Sequence, residues 1–179
     1  FCQALSVPSI RKYNNDGGPG IRECLGLLAG SDYAEEDRLA FLKAQIVFWL
    51  IGATDGHAKN FSLFLTPGGR YRMAPLYDIM SLQPNYAAKQ LRRKEFRVSM
   101  AVGDNRNYAV ESILPYHFLE DAKAAGMAQD RVRSLFGSLG ETIEGALERT
   151  VAIMPDDFPK LLFERIGDAM RKRSAKFLN

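Results

Sequence analysis

Hydrophobic positions along most of this chain fall at helical spacing. Asn15, Asp16 and the glycines of YNNDGGPG break the chain, and Ile21, Leu25 and Leu28 then recur on one face, which predicts a turn followed by a helix. From Asp32 to Ala53 the residues Leu39, Leu42, Ile46, Trp49 and Leu50 share a face, and acids in the first turn suit the helix dipole. After Asn60 the period changes to two. Phe61, Leu63 and Leu65 alternate with Ser62, Phe64 and Thr66, Pro67 to Gly69 turn the chain, and Tyr71 and Met73 resume the alternation, so a β-hairpin is predicted. The stretch YAAKQLRRKEFRVSMAVGDN mixes a basic run with a short strand-like piece and reads as a long excursion. From Tyr108 onward the pattern is helical: YAVESILPYHFLEDAKAAG, then Ala128 to Ile153, then a last helix begun near PDDFP with Asp156 or Asp157 as its N-cap. The expected fold is mainly α, a helical bundle with one small β-hairpin.

A chain of 179 residues is long enough for one core, so residues 1–179 are read as one domain. A net charge of +3 permits contact with phosphates or nucleic acid without requiring it. Cys2 and Cys24 lack CxxC or zinc-ligand spacing, which suggests buried, reduced thiols and a cytoplasmic protein. No apolar run approaches the roughly 18–20 residues that span a bilayer, and no secretory signal is seen. The chain begins at Phe1 in mid-pattern, so an N-terminal part is expected to precede it.

The chemistry concentrates in DGHAKN, Asp55 to Asn60. Phosphoryl transfer from a nucleotide needs an acid to take the acceptor's proton and hard oxygen ligands for magnesium. Asp55 and Asn60 reproduce the D-x-x-x-x-N spacing of a kinase catalytic loop, and the hairpin then returns the chain to Asp78, in the place of a kinase's metal-binding aspartate. Alone, Asp55 would read as a turn or N-cap aspartate and Asn60 as an Asx-turn residue. Together with the preceding helix, the hairpin and Asp78 they read as catalytic. The glycines at Asp16 to Ile21 have no preceding strand and no following lysine at phosphate-loop spacing, so they read as a structural turn.

The stretches FWLIGATDGHAKNFSLFL, YRMAPLYDIMS and LPYHFL resemble the HipA family, serine/threonine kinases that act as toxins of bacterial toxin–antitoxin pairs. The turn at Asp16 to Ile21 and the P-x-D-F-P at Pro155 to Pro159 are similar as well. The resemblance implies a protein-kinase-like C-terminal lobe using ATP and magnesium. Asp55 would be the proton acceptor, Asn60 and Asp78 the metal ligands, and His57, Ala58, Lys59 and Asn60 with Tyr77 and Asp78 the nucleotide contacts. It also implies an N-terminal lobe of the same protein, a HipB-like DNA-binding antitoxin with its operator DNA, and a protein target such as an aminoacyl-tRNA synthetase. No H-R precedes Asp55, where Ala53 and Thr54 stand, and Asp78 is followed by Ile79 and Met80 instead of Phe and Gly. Both departures fit the HipA pattern and speak against a mainstream eukaryotic-type kinase.

Several residues keep two readings. Lys59 can reach the transferred phosphate or be a solvated loop lysine. His57 is either a hydrogen-bonded residue fixing the loop or a nucleotide contact. Lys123 is a candidate for operator phosphates or an exposed helical lysine, and Lys89 to Arg97 is a docking patch or a solvated face. For the whole chain, a non-catalytic module binding an antitoxin or DNA and a small-molecule kinase are the competing functions. Retention of Asp55, Asn60 and Asp78 disfavours the first, while nothing in the sequence excludes the second.

Overall fold

The computed structural model describes residues 1–178. Six α-helices are found among them: α1 (Ile21–Leu28), α2 (Ala34–Ile51), α3 (Gln83–Ala87), α4 (Pro115–Ala124), α5 (Gln129–Ile153) and α6 (Lys160–Ser174). Two antiparallel hairpins accompany them, β1 (Leu63–Thr66) with β2 (Arg70–Met73), and β3 (Arg97–Val102) with β4 (Asn107–Ala109). Among the described residues no helix is long and apolar enough to cross a membrane.

Helix α2 is the hub. Phe41, Leu42, Ile46, Trp49 and Leu50 are fully buried on it, and α1, α4 and α6 pack around it. Acids at Glu35, Glu36 and Asp37 occupy its first turn, where exposed N–H groups favour negative charge. Trp49 also reaches beyond helix packing, its Nε1 donating to the Val110 carbonyl at 3.0 Å. This bond fixes the chain leaving β4. Helix α2 stops at Gly52, whose φ of +68° is a left-handed cap available to glycine at little cost. A Cβ there would lie 2.6 Å from Phe96 Cζ, so the position is closed to larger residues by packing too.

The first hairpin forms where predicted, with Leu63 opposite Met73 and Thr66 opposite Arg70. It is tied to the start of α2 by Asp37, whose Oδ2 accepts the Met73 N–H at 2.7 Å. Arg173 of α6 is 5% exposed, and its guanidinium donates to the Leu50 carbonyl at 2.7 Å and to Gln83 Oε1 at 2.6 Å, joining α6, α2 and α3. Burial draws its pKa below the ordinary arginine value, and the Glu111 carboxylate at 3.6 Å opposes that. At the other end Asp121, also buried, accepts from Arg22 Nε at 2.6 Å and from the Gly103 N–H at 2.8 Å, joining α4, α1 and the β3–β4 turn.

Three expectations are corrected. Tyr108 is not the start of a helix: it lies in β4, followed by a 3₁₀ turn at Val110–Ser112, and α4 begins only at Pro115. The β3 pairing that captures Tyr108 comes from residues upstream, outside any local period. Neither Asp156 nor Asp157 caps α6. Pro155 and Phe158 close a backbone turn at 3.0 Å first, and the helix starts after Pro159. The excursion after the first hairpin holds the short helix α3 and the second hairpin, so it is more ordered than its composition implies.

His117, at the third position of α4, accepts the Leu114 N–H on Nδ1 at 3.1 Å. Burial lowers its pKa from 6.5, against the raising influence of Glu120 and Asp121. The unfolded state therefore binds the proton more readily, so stability falls as pH drops from about 6.5 through the folded pKa. Urea unfolding at about pH 7 and about pH 5.5 should show this loss, and His117→Gln, which keeps an acceptor without titrating, should reduce the pH dependence. His57, shifted in the same direction by burial, accounts for a remainder.

Candidate active site

The site loop leaves α2 at Gly52 and returns directly along it. Ala53 donates to the Phe48 carbonyl at 2.8 Å and forms an antiparallel bridge with Ser81, while the Thr54 carbonyl accepts from Ser99 Oγ at 2.5 Å. Gly56 then crosses the Phe48 ring so closely that a Cβ would lie 2.3 Å from Cδ2. Only glycine allows this approach. Ala58–Asn60 form a 3₁₀ turn, and Phe61 enters the core beside Phe41, with ring centroids 4.8 Å apart.

This path separates the loop's side chains by exposure. Asp55 is 43% exposed, whereas His57 is 2% and Asn60 8% exposed. Asn60 Nδ2 donates to the Asp55 backbone carbonyl at 3.0 Å, closing the D-x-x-x-x-N interval into a ring. The amide nitrogen is thereby engaged, and the amide oxygen has no hydrogen-bond partner among the described residues. Asp55 Oδ1 accepts from Tyr13 Oη at 2.9 Å and lies 3.6 Å from His57 Nε2. Oδ2 has no hydrogen-bond partner among the described residues. His57 packs edge-on against Tyr13, with centroids 5.1 Å apart, and neither ring nitrogen has a hydrogen-bond partner among the described residues. It holds the loop by packing, not by the hydrogen bond considered from sequence. Burial lowers its pKa, which the nearby charges of Asp55 and Asp78 counter and that of Lys12 reinforces.

Asp78 lies five residues beyond the end of β2, in an exposed segment instead of on the hairpin itself. Tyr77 ties that segment to the loop: its hydroxyl is 2.7 Å from Ser62 Oγ and donates to the Lys59 carbonyl at 3.2 Å. Asp78 has φ +57°, a left-handed conformation that aspartate tolerates better than most side chains. Lys59, Tyr77 and Asp78 are exposed and open to a ligand, whereas His57 and Ala58 are buried and would need loop movement to touch one. Lys123 sits apart from this constellation, exposed on the last turn of α4.

No cluster of three or more His, Cys, Asp or Glu residues able to hold a metal occurs among the described residues. The amide oxygen of Asn60 and the carboxylate of Asp78 are hard donors of the kind magnesium takes when phosphates and water supply its remaining ligands. A cavity of about 680 Å³ lies between the N-terminal segment, at Phe1 to Ala4, Val7 and Ser9, and Lys59, Phe61, Ser62, Leu63 and Leu65; it adjoins the loop at Lys59 but is not lined by Asp55, Asn60 or Asp78. Its size is in the range of small-molecule sites.

Tyr13, Gly56 and Ser99 are the site residues not picked out from sequence. Tyr13 and Ser99 act across 42 and 45 positions of chain, and no local pattern reports such pairings. Gly56 was visible as a glycine after Asp55, but the Phe48 ring beneath it was not.

A mainly helical domain with two small hairpins, whose hub helix delivers a D-x-x-x-x-N loop, is the class of structure defined here. The HipA-like C-terminal domain family matches residues 1–147, and the chain belongs to that family. Y4mE of Sinorhizobium fredii, named as a candidate kinase, is 34% identical over 157 residues, covering 84% of this chain and 35% of its own length. The serine/threonine-protein kinase toxin HipA of Shewanella oneidensis is 24% identical over 166 residues, covering 86% of this chain and 36% of its own. A solved complex of the Shewanella oneidensis HipA, HipB and operator DNA contains a chain that superposes with a TM-score of 0.84 at 21% identity, over 99% of this chain and 42% of that one. That likeness extends the shared fold through α6. The chain thus spans roughly a third of the curated relatives it matches.

Gly56→Ala should force the loop off Phe48. An overpacked contact of this kind costs about 1–3 kcal/mol. Urea unfolding of the variant checks it, and unchanged stability would show that the ring yields to the added methyl group.

Proposed function

We propose that this chain is the catalytic-loop lobe of an ATP-dependent serine/threonine protein kinase, completed by an N-terminal lobe of the same protein. The observation that carries the reading is the disposition of Asp55 and Asn60. The loop exposes the Asp55 carboxylate, holds one of its oxygens, and turns the buried Asn60 so that its nitrogen is engaged and its oxygen is not. An Asx turn alone would not need the second acid, Asp78, brought close by the Tyr77 contacts.

In this reading ATP takes the cavity beside Lys59, and Lys59 is placed to meet its phosphates. Asn60 and Asp78 would hold magnesium, which when bound neutralises the charge on the phosphates. Asp55 Oδ2 accepts the hydrogen of an acceptor serine or threonine hydroxyl. As the hydroxyl oxygen bonds to the γ-phosphorus, the bond from phosphorus to the ADP oxygen breaks, the hydroxyl proton passes to Asp55, and ADP leaves. A HipB-like antitoxin and operator DNA are partners suggested by the assembly of the Shewanella HipA complex. An aminoacyl-tRNA synthetase is the type of target in keeping with the family.

The test uses the complete protein with labelled ATP, magnesium and a pooled serine/threonine peptide mixture. Asp55→Asn should lower transfer by about 10²–10⁴-fold, the usual contribution of a positioned acid or base, with nucleotide binding kept. Asp78→Ala should instead lose magnesium-dependent nucleotide binding. Full transfer by Asp55→Asn, or unchanged binding by Asp78→Ala, would remove the respective residue from its role.

A further inference from the structure

The glycine-rich turn after Lys12 has no part in the scheme above, yet its geometry leads into the site. Asn14, buried at the head of that turn, donates from Nδ2 to the Gly18 carbonyl at 3.0 Å. Its Oδ1 accepts from Tyr108 Oη at 3.0 Å and from the Ala101 N–H at 3.3 Å, which anchors the turn to the second hairpin. The Tyr13 carbonyl accepts from the Asp16 N–H at 3.0 Å and the Gly18 N–H at 2.9 Å. Gly18 lies so close to the chain entering the turn that a Cβ would be 2.1 Å from the Arg11 carbonyl oxygen, and Gly17 has φ +83°. These contacts leave Tyr13 little freedom. Its ring sits between the Lys12 ammonium, 4.8 Å from its centroid, and the edge of His57, and its hydroxyl meets Asp55 Oδ1 at 2.9 Å.

We propose that Tyr13 is a positioning residue for Asp55, and that the Asn14–Gly20 turn serves to aim it. This rests on the phosphoryl-transfer reading of the site. A carboxylate on a half-exposed loop can rotate about its Cβ–Cγ bond and present either oxygen in many directions. Donation from Tyr13 occupies Oδ1, fixes the carboxylate plane and leaves Oδ2 to receive the acceptor hydroxyl. Tyr13 itself touches neither substrate nor metal in this arrangement. The same hydrogen bond explains why a turn far from Asp55 in sequence is braced on three sides.

Tyr13→Phe in the complete protein removes the hydroxyl and keeps the ring that packs on His57. With labelled ATP, magnesium and the pooled serine/threonine peptides, kcat should fall about tenfold, as expected for losing one hydrogen bond to a charged group. Affinity for ATP with magnesium should stay at the wild-type value, and the melting temperature should fall only slightly, as for loss of one part-buried hydrogen bond. On the Asp55→Asn background the same change should have no further effect on the residual rate. An unchanged kcat, a parallel loss of nucleotide affinity, or an equal loss on the Asp55→Asn background would overturn the proposal. A wild-type protein that binds ATP but transfers to neither peptides nor water would overturn the phosphoryl-transfer reading, and the role of Tyr13 with it.

Discussion

The close passage of Gly56 over Phe48 is the constraint from which the rest of the site follows. A loop that leaves a buried helix would ordinarily run out into solvent, where its polar side chains could take any direction. Here the chain folds back along the last turns of α2, and the contact is tight enough that a Cβ would fall 2.3 Å from the ring. Hydrogen bonds from Ala53 to Phe48 and from Ser99 to Thr54 hold the entry. Phe61, buried against Phe41, holds the exit. Between these anchors His57 and Asn60 turn inward and Asp55 turns outward.

That division suits phosphoryl transfer, in which the protein contributes position and charge more than covalent chemistry. An acid must stay accessible to the acceptor while its neighbour is fixed firmly enough to ligate a cation. The Asn60 to Asp55 bond would serve both needs at once, because it joins the backbone of the proposed acid to the side chain of the proposed ligand. Asp78 arrives on a more exposed segment, held through Tyr77 to Ser62 and to the Lys59 carbonyl. Lys59 therefore belongs to the same unit through its backbone carbonyl.

The sequence was most informative where structure is local. The apolar face of α2 and the alternation of β2 specify their elements, because each buries one side against neighbours; in β1 the hairpin forms although Leu65, expected inward with Leu63, is 79% exposed. The second hairpin was missed because β4 has three residues and is defined by its pairing with β3. Tyr108 then looked like the opening of α4. The loop spacing and Asp78 were legible as motif residues, and the structure brings their segments together. Tyr13 was not legible as a site residue: in sequence it precedes a glycine turn, and only folding carries it to Asp55. The charged joints Arg173 and Asp121 were hidden for the same reason, since each ties its own helix to segments distant in sequence.

The central claim is that Asn60 and Asp78 carry the metal of a nucleotide whose terminal phosphate faces Asp55. A crystal structure of the complete protein with a non-hydrolysable ATP analogue and manganese, located by its anomalous scattering, tests it most directly. The account predicts manganese bound by Asn60 Oδ1 and the Asp78 carboxylate, with the γ-phosphate directed toward Asp55. Manganese and nucleotide bound elsewhere, with these side chains unengaged, would contradict it.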